Sequence, residues 1–181
     1  MINNIRLWWK YSAKYYHMDF YVGIKNLIRW FPIIWKDRNW DNGFIYRILE
    51  HKLTLQAKYI GERNIHVGAK RDSEKMMLCV KLINKLDSES YLDEWFNYHE
   101  SKHNFIPSED NPKLFEMITT EISENFDNYF DKYKNSYKVI IDKYPNSNKK
   151  FIAMMVSKHN HEKAKRILFR LMENNIESWW D

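Results

Sequence analysis

Apolar residues recur along most of this chain at the spacing of a helix. Phe20, Ile24, Leu27, Ile28 and Phe31 form an i, i+4, i+7 stripe that predicts a helix over residues 20–36, which Pro32 should kink or divide. Asp41 or Asn42 is placed to cap the next helix, with Ile45, Ile48, Leu49, Gln56 and Ile60 on its inner side. "GERNIHVG" reads as a loop between two glycines. A third helix is expected over about 69–86, with Met76, Val80, Ile83 and Leu86 inward, and "SESYLDEW" starts a shorter one at Ser88 or Ser90. "HNFIPSEDNP" is the longest polar break, and Asn111-Pro112 fits an N-cap and first helical residue. Phe115, Ile118, Ile122, Phe126, Tyr129 and Tyr133 then predict one long helix. After the break "KYPNSNKK" the spacing predicts a helix, a short turn near His159–Asn160 and a terminal helix. The expected fold is all-α: a compact single domain over residues 1–181, with roughly six to eight helices and no sheet beyond two short strands.

Composition sharpens this picture in three places. The chain has 181 residues, and only 4 Gly and 4 Pro leave little punctuation for the tight turns of a sandwich or barrel. Aromatic residues reach 17%, with 8 Trp, 12 Tyr and 10 Phe, more rings than a domain of this size usually buries, so a homo-oligomer is expected. The net charge of +5 favours anionic partners, although 24 acidic residues are mixed among the 29 basic ones. Cys79, the single cysteine, excludes an internal disulfide and suits a reducing cytoplasm. It lies in the apolar run "MMLCVKLI", where a buried, inert thiol is expected. The aromatic N-terminal stretch is broken by Arg6, Lys10, Lys14, His17 and Asp19, so neither a signal peptide nor a membrane span is expected.

Catalytic templates fit poorly. The glycines stand alone, without a phosphate loop. His159 and His161 are two apart and diverge on a helix, where a polar turn is the plainer reading. His99 and His103 have i, i+4 spacing but no third ligand nearby, so no metal is expected. Three charged-aromatic constellations remain. "RWFPIIWKDRNWD" places Trp35, Arg38, Trp40 and Asp41 together, either as a stacking wall with a guanidinium clamp or as a helix–helix corner with internal ion pairs. "KYIGERNIHVGAKR" gathers Lys58, Tyr59, Arg63, His66, Lys70 and Arg71 around a loop and a helix start, a ready anion site or a solvated connection. "SKHNHEKAKRILFR" carries Lys158, His161, Lys165 and Arg166, read as a solvated basic face. The terminal "WWD" reads as a latch that packs the C-terminus onto the body.

"RWFPIIWKDRNWD", "YRILEHKLTLQAKYI", "KMMLCVKLI" and "HEKAKRILFRLMENNIESWWD" together resemble a widespread family of small bacteriophage proteins, over nearly the whole chain. The family pattern keeps Asp37, Arg38, Trp40, Asp41, Lys52, Tyr59, His161, Trp179 and Trp180 in register; Asn39 departs from it, where relatives often carry an acidic residue. Small phage proteins of this character include sponges of the Sequestin and Lockin kind, which sequester ADP-ribose-derived signals of Thoeris-type defence. The resemblance implies an anti-defence protein of the infected host's cytoplasm that binds a phosphorylated nucleotide signal, ADP-ribose-derived or cyclic, with neither cofactor nor catalysis. The expected pocket joins Arg38 and Lys52 with Trp35 or Trp40 and Tyr59, since Lys52 and Tyr59 fall seven apart on one helix face. Arg63 and His66 follow at its far end. Two other classes stay open: an enzyme that cleaves such a nucleotide, and a basic module that binds nucleic acid or a host protein.

Overall fold

The computed structural model describes residues 6, 7, 9, 14–38, 43–108, 111 and 113–180. They form two compact units, one reaching Ile48 and the other beginning at Leu49. In the first unit, helix α1 spans Lys14–Ile34 and contains Pro32. The helix is not divided there, because a proline so close to the C-terminal end removes one N–H donor and leaves no further turn to break. The Trp35 N–H still closes on the Phe31 carbonyl at 2.9 Å. The predicted stripe is present but faces outward, with Phe20, Leu27, Ile28 and Phe31 between 56% and 71% exposed.

Helix α2 spans Gly43–Arg63; its expected caps, Asp41 and Asn42, lie outside the described residues. Within the second unit it buries Leu53, Gln56, Ala57 and Ile60, one face at helical spacing. Ile45, expected inward, is exposed. Asn64 ends the helix in the left-handed region at φ 48°, which asparagine tolerates better than most residues. Helix α3, Ala69–Asp87, buries Met76, Cys79, Val80, Ile83 and Leu86, matching the predicted inner face. Ser73 Oγ donates to the Ala57 carbonyl at 2.9 Å, and a Cβ on Gly61 would sit 2.7 Å from Ser73 Oγ. Glycine at 61 is therefore what lets α2 and α3 approach here.

A short helix α4 (Ser90–Asp93) and a 3-10 turn (Glu94–Tyr98) lead into the main departure from expectation. Strands β1 (His99–Pro107) and β2 (Phe115–Glu124) pair antiparallel, with a bulge between Glu100 and Ser101. The fold is thus helix-dominated but not all-α. The long helix expected from Phe115 to Tyr133 is a strand followed by helix α5, Phe126–Lys132. Ile118, Thr119, Thr120 and Ile122 are β-branched and lose rotamer freedom in a helix, and the His99–Pro107 segment supplies a ladder partner. Asn111 does not cap a helix; its side chain accepts from the Lys113 N–H within the hairpin connection. On a strand His99 and His103 stand roughly 13 Å apart, so the helical metal pair does not form. The His103 Nδ1 meets Thr119 Oγ1 across the ribbon at 2.9 Å instead.

Helices α6 (Lys134–Lys143) and α7 (Lys149–Asn175) complete the second unit, followed by a 3-10 turn at Ser178–Trp180. Asn148 caps α7 by accepting the Phe151 N–H at 2.8 Å. The turn expected near His159–Asn160 is absent: α7 runs through it, since Val156, Asn160, Ala164 and Leu168 keep one buried row at i, i+4 spacing. An aromatic cluster of Trp95, Phe126, Tyr129 and Phe130 packs with Ile140, Ile152, Ala153 and Val156. Trp179 is buried, as the latch reading requires, while the Trp180 side chain and Asp181 lie outside the described residues. Among the described residues, no helix is long and apolar enough to cross a membrane.

Candidate functional site

The long uninterrupted α7 has a consequence for charge. His159, Lys163, Arg166 and Arg170 follow one another at steps of four, three and four, so they share a face beside the buried row. That face meets α6. Between the two helices lies a cavity of about 400 Å³, lined from α6 by Asn135, Ser136 and Val139 and from α7 by His159, Lys163, Arg166, Ile167 and Arg170. A second cavity of about 370 Å³ adjoins it through Asn135, Ser136, Lys163 and Ile167, and adds Leu82, Tyr91, Tyr133 and Asn160.

The electrostatics of the two cavities differ. In the second, Lys132 is paired with Glu94, and Lys134 lies 3.6 Å from Asp131. In the first, Lys163, Arg166 and Arg170 face the space with no acidic lining residue. Among the described residues, none of the three forms an ion pair. Their field is felt by His159: burial first, then Arg166 and Lys163, hold its imidazole below the ordinary histidine value. Helix α6 adds to the same potential. Its N-cap residue, Tyr133, makes no side-chain capping bond, so the first-turn amides at the cavity edge stay uncapped.

A buried polar floor lies under the second space and reaches the first through Ser136. Ser136 Oγ donates to Asn160 Oδ1 at 2.5 Å, and both side chains are buried. The Asn160 amide faces the buried Tyr129 phenol, whose pKa is pushed far up by burial and secondarily by the Glu94 carboxylate. Tyr133, raised by burial and by its bond to Glu94 Oε2 at 2.5 Å, also stays protonated. This floor can donate and accept hydrogen bonds without changing charge near neutral pH.

The residues singled out from sequence are placed elsewhere. Trp35 is 72% exposed, with its ring 5.2 Å from Phe31, and the exposed Arg38 donates from Nη1 to the Asp37 carbonyl at 2.8 Å. Both belong to the first unit; Trp40 and Asp41 lie outside the described residues. Lys52, Tyr59, Arg63 and His66 belong to the second unit. Of these, the structure brings Tyr59 and Arg63 together, with the guanidinium carbon 4.6 Å from the ring centre. His66 is half-buried, and among the described residues its Nε2 has no hydrogen-bond partner. Of these four, none lines either α6–α7 cavity: Lys52, Tyr59, Arg63 and His66 all lie outside both linings.

The cleft's own signal was in the sequence. The step pattern of His159, Lys163, Arg166 and Arg170 is helical, but the turn expected at His159–Asn160 would break its phase, and that expectation hides it. Lys165, read as solvated, is paired with Glu162 at 3.2 Å. Cys79 is buried, and burial pushes its thiol pKa up. Among the described residues, no group of three or more His, Cys, Asp or Glu side chains is placed to hold a metal ion. Comparison with known proteins finds no matching family model, no matching curated protein and no matching solved structure.

Proposed function

We propose that the protein captures a phosphorylated nucleotide signal in the α6–α7 cleft and holds it without transforming it, in the manner of a phage anti-defence sponge. One observation carries this reading: three cations, Lys163, Arg166 and Arg170, line one cavity that has no acidic lining residue. Gathering like charges costs free energy, and a bound anion offsets that cost. Arginine forks match phosphate oxygens bidentately, and the uncapped amides of α6 add donors of the same polarity. The adjoining cavity supplies what the rest of a nucleotide needs. Leu82, Tyr91 and Ile167 offer apolar and aromatic surface beside the Asn160–Ser136 floor.

The exposed Tyr59 ring with Arg63 against it is a second surface with stacking chemistry. It keeps Tyr59 with Arg63 as the competing location for the same ligand. Calorimetry with a panel of adenine nucleotides and ADP-ribose tests capture, with the expectation of saturable binding at one ligand per chain. The complex is then heat-denatured and the released ligand weighed by mass spectrometry. Intact ligand supports sequestration. A hydrolysed product shows an enzyme, and steeply salt-dependent binding of generic DNA in preference to nucleotides shows a nucleic-acid module.

A further inference from the structure

Arg166 does not border one cavity alone. A third cavity, of about 370 Å³, shares His159 and Arg166 with the first and is lined further along by Lys143 and Lys158. The two spaces are therefore lobes of one groove divided by the Arg166 side chain. Each lobe has its own cations: Lys163 and Arg170 on one side, Lys143 and Lys158 on the other. Glu162 is the one acidic residue lining the second lobe, and it is already paired with Lys165. Among the described residues, neither Lys143 nor Lys158 forms an ion pair. The Lys143 ammonium lies 5.4 Å from the centre of the Tyr144 ring.

Spacing decides what such a groove can hold. At 1.5 Å of rise per residue, Lys158 and Arg170 stand about 18 Å apart along α7, with Arg166 about 12 Å from the first and 6 Å from the second. Direct contact with a phosphate oxygen requires a nitrogen within roughly 3 Å. A single phosphate beside Arg166 leaves the outer cations of the lobes, Lys158 and Arg170, without an anion of their own, whereas two phosphates spaced along the groove serve both lobes. Resting on the reading of the cleft as a nucleotide site, we infer that its ligand is a dinucleotide. Its two phosphate groups, separated by a sugar, occupy the lobes on either side of Arg166.

The test compares AMP with the linear dinucleotide pApA, which carries two phosphates a sugar apart, on the parent protein and on Lys158→Ala. Lys158 is exposed and its replacement leaves the buried row of α7 untouched. The expected result is pApA binding at least tenfold tighter than AMP, with Lys158→Ala weakening pApA by a larger factor than AMP so that most of that gain is lost. Equal affinity of the parent for AMP and pApA overturns the dinucleotide inference while leaving the cleft reading intact. So does a Lys158→Ala loss of the same factor for both ligands. Failure of the parent to bind either one overturns both readings.

Discussion

Replacing Arg166 with Ala separates the cleft from every other location for the ligand. Its guanidinium borders the first cavity and, among the described residues, carries only a long bond, from Nε to the Glu162 carbonyl at 3.4 Å. The side chain is exposed and lies outside the buried row of α7, so the fold should change by no more than about 0.5 kcal/mol. Binding should change far more. A hydrogen bond to a charged group contributes about 1.5–3 kcal/mol. At about 1.4 kcal/mol per tenfold, that is roughly a 10- to 150-fold rise in Kd. Arg166→Lys keeps the charge but loses the fork and should fall between. An independent readout comes from His159, whose imidazole is held down partly by Arg166. Removing the guanidinium should raise the His159 titration midpoint in an NMR experiment even without ligand. The assay is calorimetry of the parent, Arg166→Ala and Arg38→Ala with the same nucleotide, each first shown by urea melts to unfold cooperatively. The reasoning is refuted if folded Arg166→Ala binds like the parent. If Arg38→Ala alone loses affinity, the ligand belongs with the tryptophan-rich stretch.

Sulfate, which does not titrate in this range, should bind more tightly as pH falls below the ordinary histidine value of 6.5, because a bound anion favours the imidazolium of His159. Without an anion the sign reverses: the unfolded chain takes the proton first, so stability falls as pH drops through that value, and His159→Gln should flatten both profiles. The outward face of α1 should pair with a second copy. Phe20, Ile24, Leu27, Ile28, Phe31, Ile34 and Trp35 are each 42–72% exposed, and at roughly 100 Å² apiece they approach the ~800 Å² per partner of a standard interface. Light scattering should give twice 22.4 kDa for the parent and 22.4 kDa for Ile24→Asp/Leu27→Asp; a monomeric parent at high concentration refutes this. Trp179, 1% exposed, should lose about 3–5 kcal/mol on change to Ala, read as a lowered urea midpoint.

The inner face of α3 was legible from spacing, because Met76, Val80, Ile83 and Leu86 repeat with the helical period. That of α2 was legible only in part: Gln56 and Ile60 are buried as expected, but Ile45 is exposed, and the buried Leu53 and Ala57 fall outside the predicted set. The buried thiol of Cys79 and the packed Trp179 followed from the same local signal. Residues Phe115–Glu124 carry a pattern that serves helix and strand alike, and what decided it was a partner segment eight residues upstream in the chain, His99–Pro107. A ladder is a non-local bond set, so spacing within one segment does not contain it. The cleft is a case of the same kind. The cations of α7 are adjacent in sequence, but they become a site only because α6 lies beside them with Asn135 and Ser136 at the shared edge. Charge and period are written locally; a cavity depends on which surfaces meet, and that is fixed by the packing of aromatic residues from several elements around α7.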